Sequence, residues 1–327
     1  MSTRTRSPRR RRRSKLTILL VLVAVLLFVV LVVLALWYLL AGPLRLPTPG
    51  PAPGPERPRT QPASCPDVQL LAVPGTWESS ADDDPHNPTT VPAALLQNVT
   101  RPIQDQFPTS RVDAYTVPYV AQFSNPIAIP PDGQQSYNNS RSAGMTVATD
   151  VLAGMSANCP LTSYVLVGFS QGAIIAGDLA AQIGAGNGPV PADQVLGVTL
   201  IADGRRSVGQ AIEIGTDPGG VGAEVALKGL KVPGITMTGP RPGGFGTLAD
   251  RTYTICAPGD LICAAPKAAL NPVNIPASLG SLLGAAGNPV HAQYASFAVN
   301  DAGTTATQWT LGWATQLIDG APEPAHS

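Results

Sequence analysis

A chain of 327 residues, 44% hydrophobic and 13% charged, with 33 glycines and 34 prolines, is too apolar for a disordered protein and too loop-rich for a coiled coil. Its net charge of zero hides an asymmetry. Arg4, Arg6, Arg9, Arg10, Arg11, Arg12, Arg13 and Lys15 hold eight of the 21 basic residues, leaving 13 against 21 acidic ones, a balance of −8, in the rest. A basic tip on an acidic body argues against nucleic-acid binding by the main part of the chain, which is long enough for one large α/β domain or two small ones.

The basic tip, 1–17, runs into an uncharged and almost wholly aliphatic stretch over Ile18–Ala41, with Trp37 and Tyr38 near its end. About 20 apolar residues span a hydrocarbon core of ~30 Å, so this stretch is long enough to cross. Arginine and lysine stay on the cytoplasmic side and the aromatic pair suits the opposite interface, which places the N-terminus inside and the remainder outside. A signal peptide has a shorter apolar core, about 7–15 residues, followed by a small-residue cleavage site, and no clean Ala-x-Ala follows here; an uncleaved anchor is therefore expected. The stretch 42–63 is rich in proline and reads as an extended tether that holds a domain off its own membrane.

The folded domain is expected at 64–320, with a short tail at 321–327. Val68–Val73 reads as a buried strand ending in the turn Pro74-Gly75-Thr76-Trp77, and Thr90–Phe107 as a helix interrupted by Pro102. Arg111–Tyr119 is a second strand, Ser136–Asn158 an amphipathic helix, and Ser163–Phe169 a third strand leading into a helix over Gln171–Ile183. Gln194–Ala202 and Thr252–Ala257 complete the strands, and Thr304–Ile318 closes the domain as a helix. Strands alternating with helices predict a mostly parallel sheet covered on both faces. The glycine-rich stretch Arg206–Asp250 lacks periodicity; a plain surface loop is preferred over a substrate-facing excursion.

The residues around Val165–Ile175 carry the first chemical signal. An apolar strand ends in Gly168-Phe169-Ser170-Gln171-Gly172 and a helical pattern follows, the strand–turn–helix setting of a nucleophile elbow. A serine there needs an oriented base. Of the three histidines, His86 lies in a polar loop and His326 is penultimate, so His291 is the candidate base. The acid is Asp203 or Asp260, both following strands and both satisfying the chain order serine, acid, histidine.

The four cysteines of an exported domain allow three pairings. A local clip between Cys256 and Cys263 is the simplest choice and leaves Cys65 for Cys159. Such a clip would fix Asp260, the favoured acid, and leave Asp203 a structural role. No Cys-x-x-Cys or nearby histidine pair suggests a metal, and no cofactor is expected. The oxyanion donors would be the Gln171 backbone N–H and the Gly75-Thr76 turn, with the Thr76 hydroxyl.

Gly-Phe-Ser-Gln-Gly at 168–172, Cys-Ala-Pro-Gly-Asp-Leu-Ile-Cys at 256–263, His-Ala-Gln-Tyr at 291–294 and Gly75-Thr76 together resemble the cutinase family of serine esterases. The resemblance implies a three-layer α/β-hydrolase sandwich, Asp260 as the acid and the two disulfides. With its anchor and tether the chain is similar to the envelope-associated cutinase-like proteins of mycolic-acid-containing actinobacteria, which implies lipid acyl esters, phospholipids or thioesters as substrates. An acyltransferase is the alternative within the same chemistry, and a non-catalytic binding module the alternative outside it. A monomer is expected.

Overall fold

The computed structural model describes residues 10–40, 57–126, 128–266 and 289–327, which form two units, one N-terminal and one running from Arg57 to Ser327. The first is a single helix, α1 (Arg10–Leu40). Its stretch Ile18–Trp37 has a mean hydropathy of 3.7 and exposed side chains throughout, so it is long and apolar enough to cross a membrane. Most of the expected tether, 42–56, lies outside the described residues.

The second unit is built on six parallel strands. In chain order the strands are β1 (Thr60–Gln61), β2 (Val68–Val73), β3 (Val112–Thr116), β4 (Ser163–Phe169), β5 (Val195–Ile201), β6 (Ile212–Glu213), β7 (Lys231–Val232), β8 (Ile235–Thr236), β9 (Thr252–Ile255) and β10 (Ala325–His326). The main sheet has the order β3-β2-β4-β5-β9-β6, with every pair parallel. Its central strands are buried almost throughout and mostly apolar, as strands covered on both faces are, with Gln69 and Thr199 the polar residues inside them.

Alternation along the strands sorts the side chains into two layers. Val68, Leu70, Ala72, Val165 and Val167 point to one face, where helices α2 (Gln97–Gln106) and α6 (Ala306–Asp319) contribute Ile103, Ala314 and Ile318. Leu71, Val73, Tyr164 and Leu166 point to the other, against α3 (Tyr137–Asn158) and α4 (Gln171–Gly184), which supply Ala148, Leu152, Ile175 and Leu179. Each large buried side chain contributes about 1.5–3 kcal/mol of transfer free energy. The result is the expected three-layer sandwich.

Local chemistry sets the helix ends. The Ser136 hydroxyl accepts the Asn139 N–H at the start of α3, and Thr305 with Gln308 forms a reciprocal capping box at the start of α6. The α2 helix begins at Gln97, seven residues later than the expected Thr90, because the segment before it is spent on turns, among them Ala94 N–H to Val91 O.

Two departures concern the remaining stretches. Ala325–His326 pairs in parallel with Thr60–Gln61, and Ser327 N–H donates to Gln61 O at 2.9 Å, so the C-terminal residues pack into the unit. The glycine-rich Arg206–Asp250 is not a plain surface loop. It adds β6 to the sheet, forms a four-residue helix α5 (Ala223–Ala226) and a β7–β8 hairpin, and sends Ala223, Glu224 and Met237 into a cavity.

The chain path also fixes where a site can form. From β2 it moves outward to β3, then returns to the other side of β2 to form β4. At such a reversal the loops leaving β2 and β4 diverge and open a crevice at the strands' carboxyl ends. The loops concerned are Pro74–Trp77 and Ser170–Gln171.

Candidate active site

Ser170 stands at the end of β4 with φ 54° and ψ −118°. Tight packing of this turn explains its two glycines. A Cβ on Gly168 would lie 2.5 Å from Gly172 O, and one on Gly172 would lie 2.0 Å from Val73 O. Any larger residue would drive α4 away from β2 and β4. The strain at Ser170, on the order of 1–3 kcal/mol for a non-glycine residue in this region, is held by its N–H bond to Ile201 O and by the α4 bond from Ile174 N to Ser170 O.

His291 and Asp260 converge on that serine. The imidazole Nε2 lies 2.8 Å from Ser170 Oγ, and Nδ1 lies 2.9 Å from Asp260 Oδ2. A carboxylate only accepts, so Nδ1 carries the proton and Nε2 is left to take the serine proton. The ring stacks on Phe169, the residue before the serine, at 5.3 Å and 21°. Asp260 is fully buried, and its further bonds come from neutral donors: Tyr294 OH to Oδ2 at 2.7 Å and Ile262 N–H to Oδ1 at 2.9 Å. Tyr294 is itself held by Ala257 N–H at 3.0 Å, and burial followed by the Asp260 charge pushes its phenol well above the usual range, so it stays a donor.

The Asp260 loop is closed by the Cys256–Cys263 disulfide, and Cys65 pairs with Cys159, both with Cα–Cα distances below 6 Å (5.9 and 5.5 Å). Arg206 braces the clip from the side, its Nη1 donating to Cys263 O at 3.3 Å.

On the opposite side of Ser170, Thr76 Oγ1 lies 3.4 Å from the Gln171 carboxamide, which also meets Ser140 Oγ at 3.1 Å and Tyr119 Oη at 3.4 Å. Ser140 and Tyr119 each donate their single hydroxyl proton to a backbone carbonyl, Val120 O and Pro74 O, both at 2.7 Å. The carboxamide therefore turns its NH2 toward these hydroxyls; the opposite orientation leaves Nε2 buried without a partner. The Thr76 hydroxyl stands beside this carboxamide in the cavity wall, where its proton can rotate toward the crevice.

Glu78, which the sequence reading passed over, holds this side in place. Its Oε1 accepts Leu95 N–H at 2.9 Å and its Oε2 accepts Gly75 N–H at 3.1 Å. Burial raises its pKa, and those two backbone donors with the nearby His291 only partly offset the rise. A lone carboxylate two residues beyond the turn, in Gly-Thr-Trp-Glu, was the available signal.

These groups open into a cavity of about 560 Å³ lined by Leu95, Phe123, Ile174, Met237 and Ile262 among others, with Ser170 and His291 in its wall. Such an arrangement can transfer an acyl group. In such a transfer the serine oxygen would attack a carbonyl as its proton passed to His291, and the Thr76 hydroxyl and Gln171 N–H would be the donors available to the developing oxyanion.

Asp203, the other candidate acid, is buried elsewhere. It accepts Arg241 Nη1 at 2.6 Å and Nη2 at 3.0 Å, as well as Arg205 N–H at 3.0 Å. His86 pairs with Asp113 and His326 with Asp67, both away from Ser170.

The family model for cutinase matches residues 64–278. A carboxylesterase homologue from Corynebacterium glutamicum is 46% identical over 269 residues, which is 80% of this chain and 84% of that protein. Among solved structures, an iodinated complex of acetyl xylan esterase aligns with a TM-score of 0.50 at 18% identity, covering 78% of this chain and all of that one. A cutinase-like protein from Cryptococcus sp. aligns at 20% identity and a TM-score of 0.48, over 80% of this chain and all of that one. The likeness to the acetyl xylan esterase shows the fold alone; family match and relative place the chain among the serine carboxylic-ester hydrolases. Within that class it belongs to the cutinase family.

Proposed function

We propose that the protein is a membrane-anchored, extracytoplasmic esterase that cleaves lipid acyl esters through Ser170, His291 and Asp260. The observation that carries this reading is the unbroken relay from Ser170 Oγ to His291 Nε2 at 2.8 Å and from Nδ1 to Asp260 at 2.9 Å, opening on an apolar cavity. Ser170 attacks the acyl carbon while His291 accepts its proton and returns it to the departing alcohol oxygen. His291 then deprotonates a water that releases the acid and restores Ser170. Thr76 and the Gln171 N–H hold the oxyanion in both halves, and Asp260 keeps the imidazole in its productive tautomer.

Lipid as the substrate class is supported by the apolar lining and by the helix Ile18–Trp37, which would hold the enzyme where such esters are concentrated. The basic residues before that helix orient it with the catalytic unit outside. Every group in the reaction comes from one chain, so a monomer suffices. The test is turnover of p-nitrophenyl esters of increasing chain length by the full chain in detergent. Ser170→Ala abolishes turnover and fluorophosphonate labelling if the reading holds; undiminished hydrolysis by that variant overturns it.

A further inference from the structure

Among the described residues, three other than glycine take positive φ, and each follows one of three neighbouring strands at the edge carrying the site: Trp77 (φ 63°) after β2, Ser170 (φ 54°) after β4 and Ala202 (φ 57°) after β5. Ser170 is the elbow, and Ala202 turns the chain into Asp203. Trp77 has no such explanation yet. A bulky aromatic in this region carries a cost on the order of 1–3 kcal/mol, so its surroundings must hold it there.

Two bonds do so. The Trp77 N–H donates to Ala121 O at 2.6 Å, and the indole Nε1–H donates to Gln134 Oε1 at 2.6 Å. The indole stays 45% exposed, yet both it and Gln134 line the cavity. This hydrogen bond therefore joins the turn after β2 to the separate loop that carries Phe123 and Gln134.

The cavity wall draws side chains from both sides of the sheet. His291 stacks on Phe169, which packs with the α2/α6 layer, so the leaving alcohol departs on that side, with Leu95 beside it. Tyr137 from α3, Ile174 from α4, Phe123 and Met237 form a separate apolar cluster on the other side, and all four line the cavity. That cluster is the arm left for the acyl chain. Trp77 directly follows Thr76, the oxyanion donor of the proposed reaction, and its side chain lines the same cavity.

We propose that the Trp77–Gln134 hydrogen bond is a strap across the mouth of the acyl arm, selecting esters of unbranched fatty acids over those branched next to the carbonyl. A straight chain passes beneath the strap into the Phe123–Met237 cluster, whereas a second α-substituent meets the indole. The proposal rests on acyl transfer at Ser170 as read above.

The test compares two isomeric substrates of equal carbon count, p-nitrophenyl octanoate and p-nitrophenyl 2-propylpentanoate, with the full chain in detergent. Trp77→Gly removes the indole while glycine keeps the positive φ without strain, and Gln134→Ala keeps the indole but removes the bond. The branched-to-linear ratio of kcat/KM rises about tenfold or more in Trp77→Gly, the scale of one methylene-sized contact in a pocket, and less in Gln134→Ala. Fluorophosphonate labelling of Ser170 in each variant separates the outcomes. Labelled variants whose ratios match the parent overturn the strap; an unlabelled parent overturns the Ser170 reading instead. A Trp77→Gly protein that fails to fold leaves the decision to Gln134→Ala, where an unchanged ratio overturns the strap.

Discussion

Asp260 and Asp203 are the same residue type at the same kind of place, just beyond a strand of one parallel sheet, and both are buried. Their neighbours make them different. Asp260 receives only neutral donors besides His291: a phenol and a backbone amide. Asp203 is gripped by both terminal nitrogens of Arg241. A carboxylate whose charge is already balanced by a guanidinium has little left to stabilise an imidazolium. One that is hydrogen-bonded but unbalanced keeps its charge for the moment the imidazole becomes cationic. On the proposed mechanism, burial and strand-end position alone do not suit an aspartate to orient the histidine; a charge left unbalanced does.

The largest expected effect tests the first half of that contrast. Asp260→Asn lets the amide present NH2 to Nδ1 and selects the wrong tautomer, so kcat falls by about ten-thousandfold while the disulfide-clipped loop keeps its shape. Steady-state kinetics with a circular dichroism melt checks it; a loss below tenfold would mean that another group orients His291.

Asp203→Asn should do the reverse. Arg241 belongs to a buried cluster in which Arg141, Arg205 and Arg241 balance Asp178, Asp203 and Glu224, tying α3 and α4 to the excursion after β5. Burial alone would raise the Asp178 pKa, but the charges of Arg241, Arg141 and Arg205 outweigh it and hold the group below the ordinary carboxylate range. Removing the Asp203 charge leaves a buried guanidinium partly unpaired, a loss of about 3–5 kcal/mol in stability, with kcat near the parent's below the new melting point. A fall in kcat as large as that of Asp260→Asn, in folded protein, would erase the distinction between the two aspartates. Because the Asp178 pKa is depressed on folding, its contribution is present above the unfolded carboxylate value of about 3.9 and is lost as pH falls through the folded one.

This cluster also explains what the sequence could and could not reveal. The strands β2, β4 and β5 were legible because a strand buried on both faces is mostly apolar, with few polar residues to break the run. Ser170 followed from its glycines, and His291 from the scarcity of histidine. Asp260 stood out once Cys256 and Cys263 were taken as a clip. The 206–250 segment was not legible, since Arg241 to Asp178 and Glu224 to Arg141 are contacts between distant residues that leave no periodicity. The roles of Tyr294 and Trp77 escaped for the same reason, since Asp260 and Gln134 lie far from them in the chain. Each acts through a partner that only the assembled sheet brings near.

A smaller effect is expected at Glu78, which supports the oxyanion side as Asp260 supports the base side. Glutamine offers one acceptor oxygen where the carboxylate offers two, so Glu78→Gln frees either the Gly75 or the Leu95 N–H. The Thr76 turn loosens and kcat falls about 10–100-fold, less than full loss of an oxyanion donor, with KM nearly constant. If KM rises instead while kcat holds, Glu78 shapes the cavity and does not position the turn.

The smallest effect comes from a second histidine–aspartate pair, and it sharpens what is special about the first. His326 Nε2 lies 2.9 Å from Asp67 Oδ1, the same groups at the same distance as His291 and Asp260. No serine completes it, and it sits at the surface, where it ties the C-terminal strand β10 beside β1. Its hydrogen bond to Asp67, then that to Pro62 O, raises the His326 pKa above its ordinary value of 6.5. A pKa raised on folding means the folded state holds the proton more tightly. Its contribution is therefore complete below pH of about 6.5 and fades as pH climbs through the raised value. Between pH 6 and pH 8 the intrinsic-rate-corrected hydrogen-exchange protection of Ser327 N–H, bonded to Gln61 O, should fall, and His326→Gln should flatten that fall while leaving esterase activity untouched. Protection independent of pH in the parent would show that strand pairing alone holds the tail. A matching change in activity would mean that this outlying pair communicates with the buried one, and that the separation drawn between an uncompensated aspartate and a merely paired one is too strict.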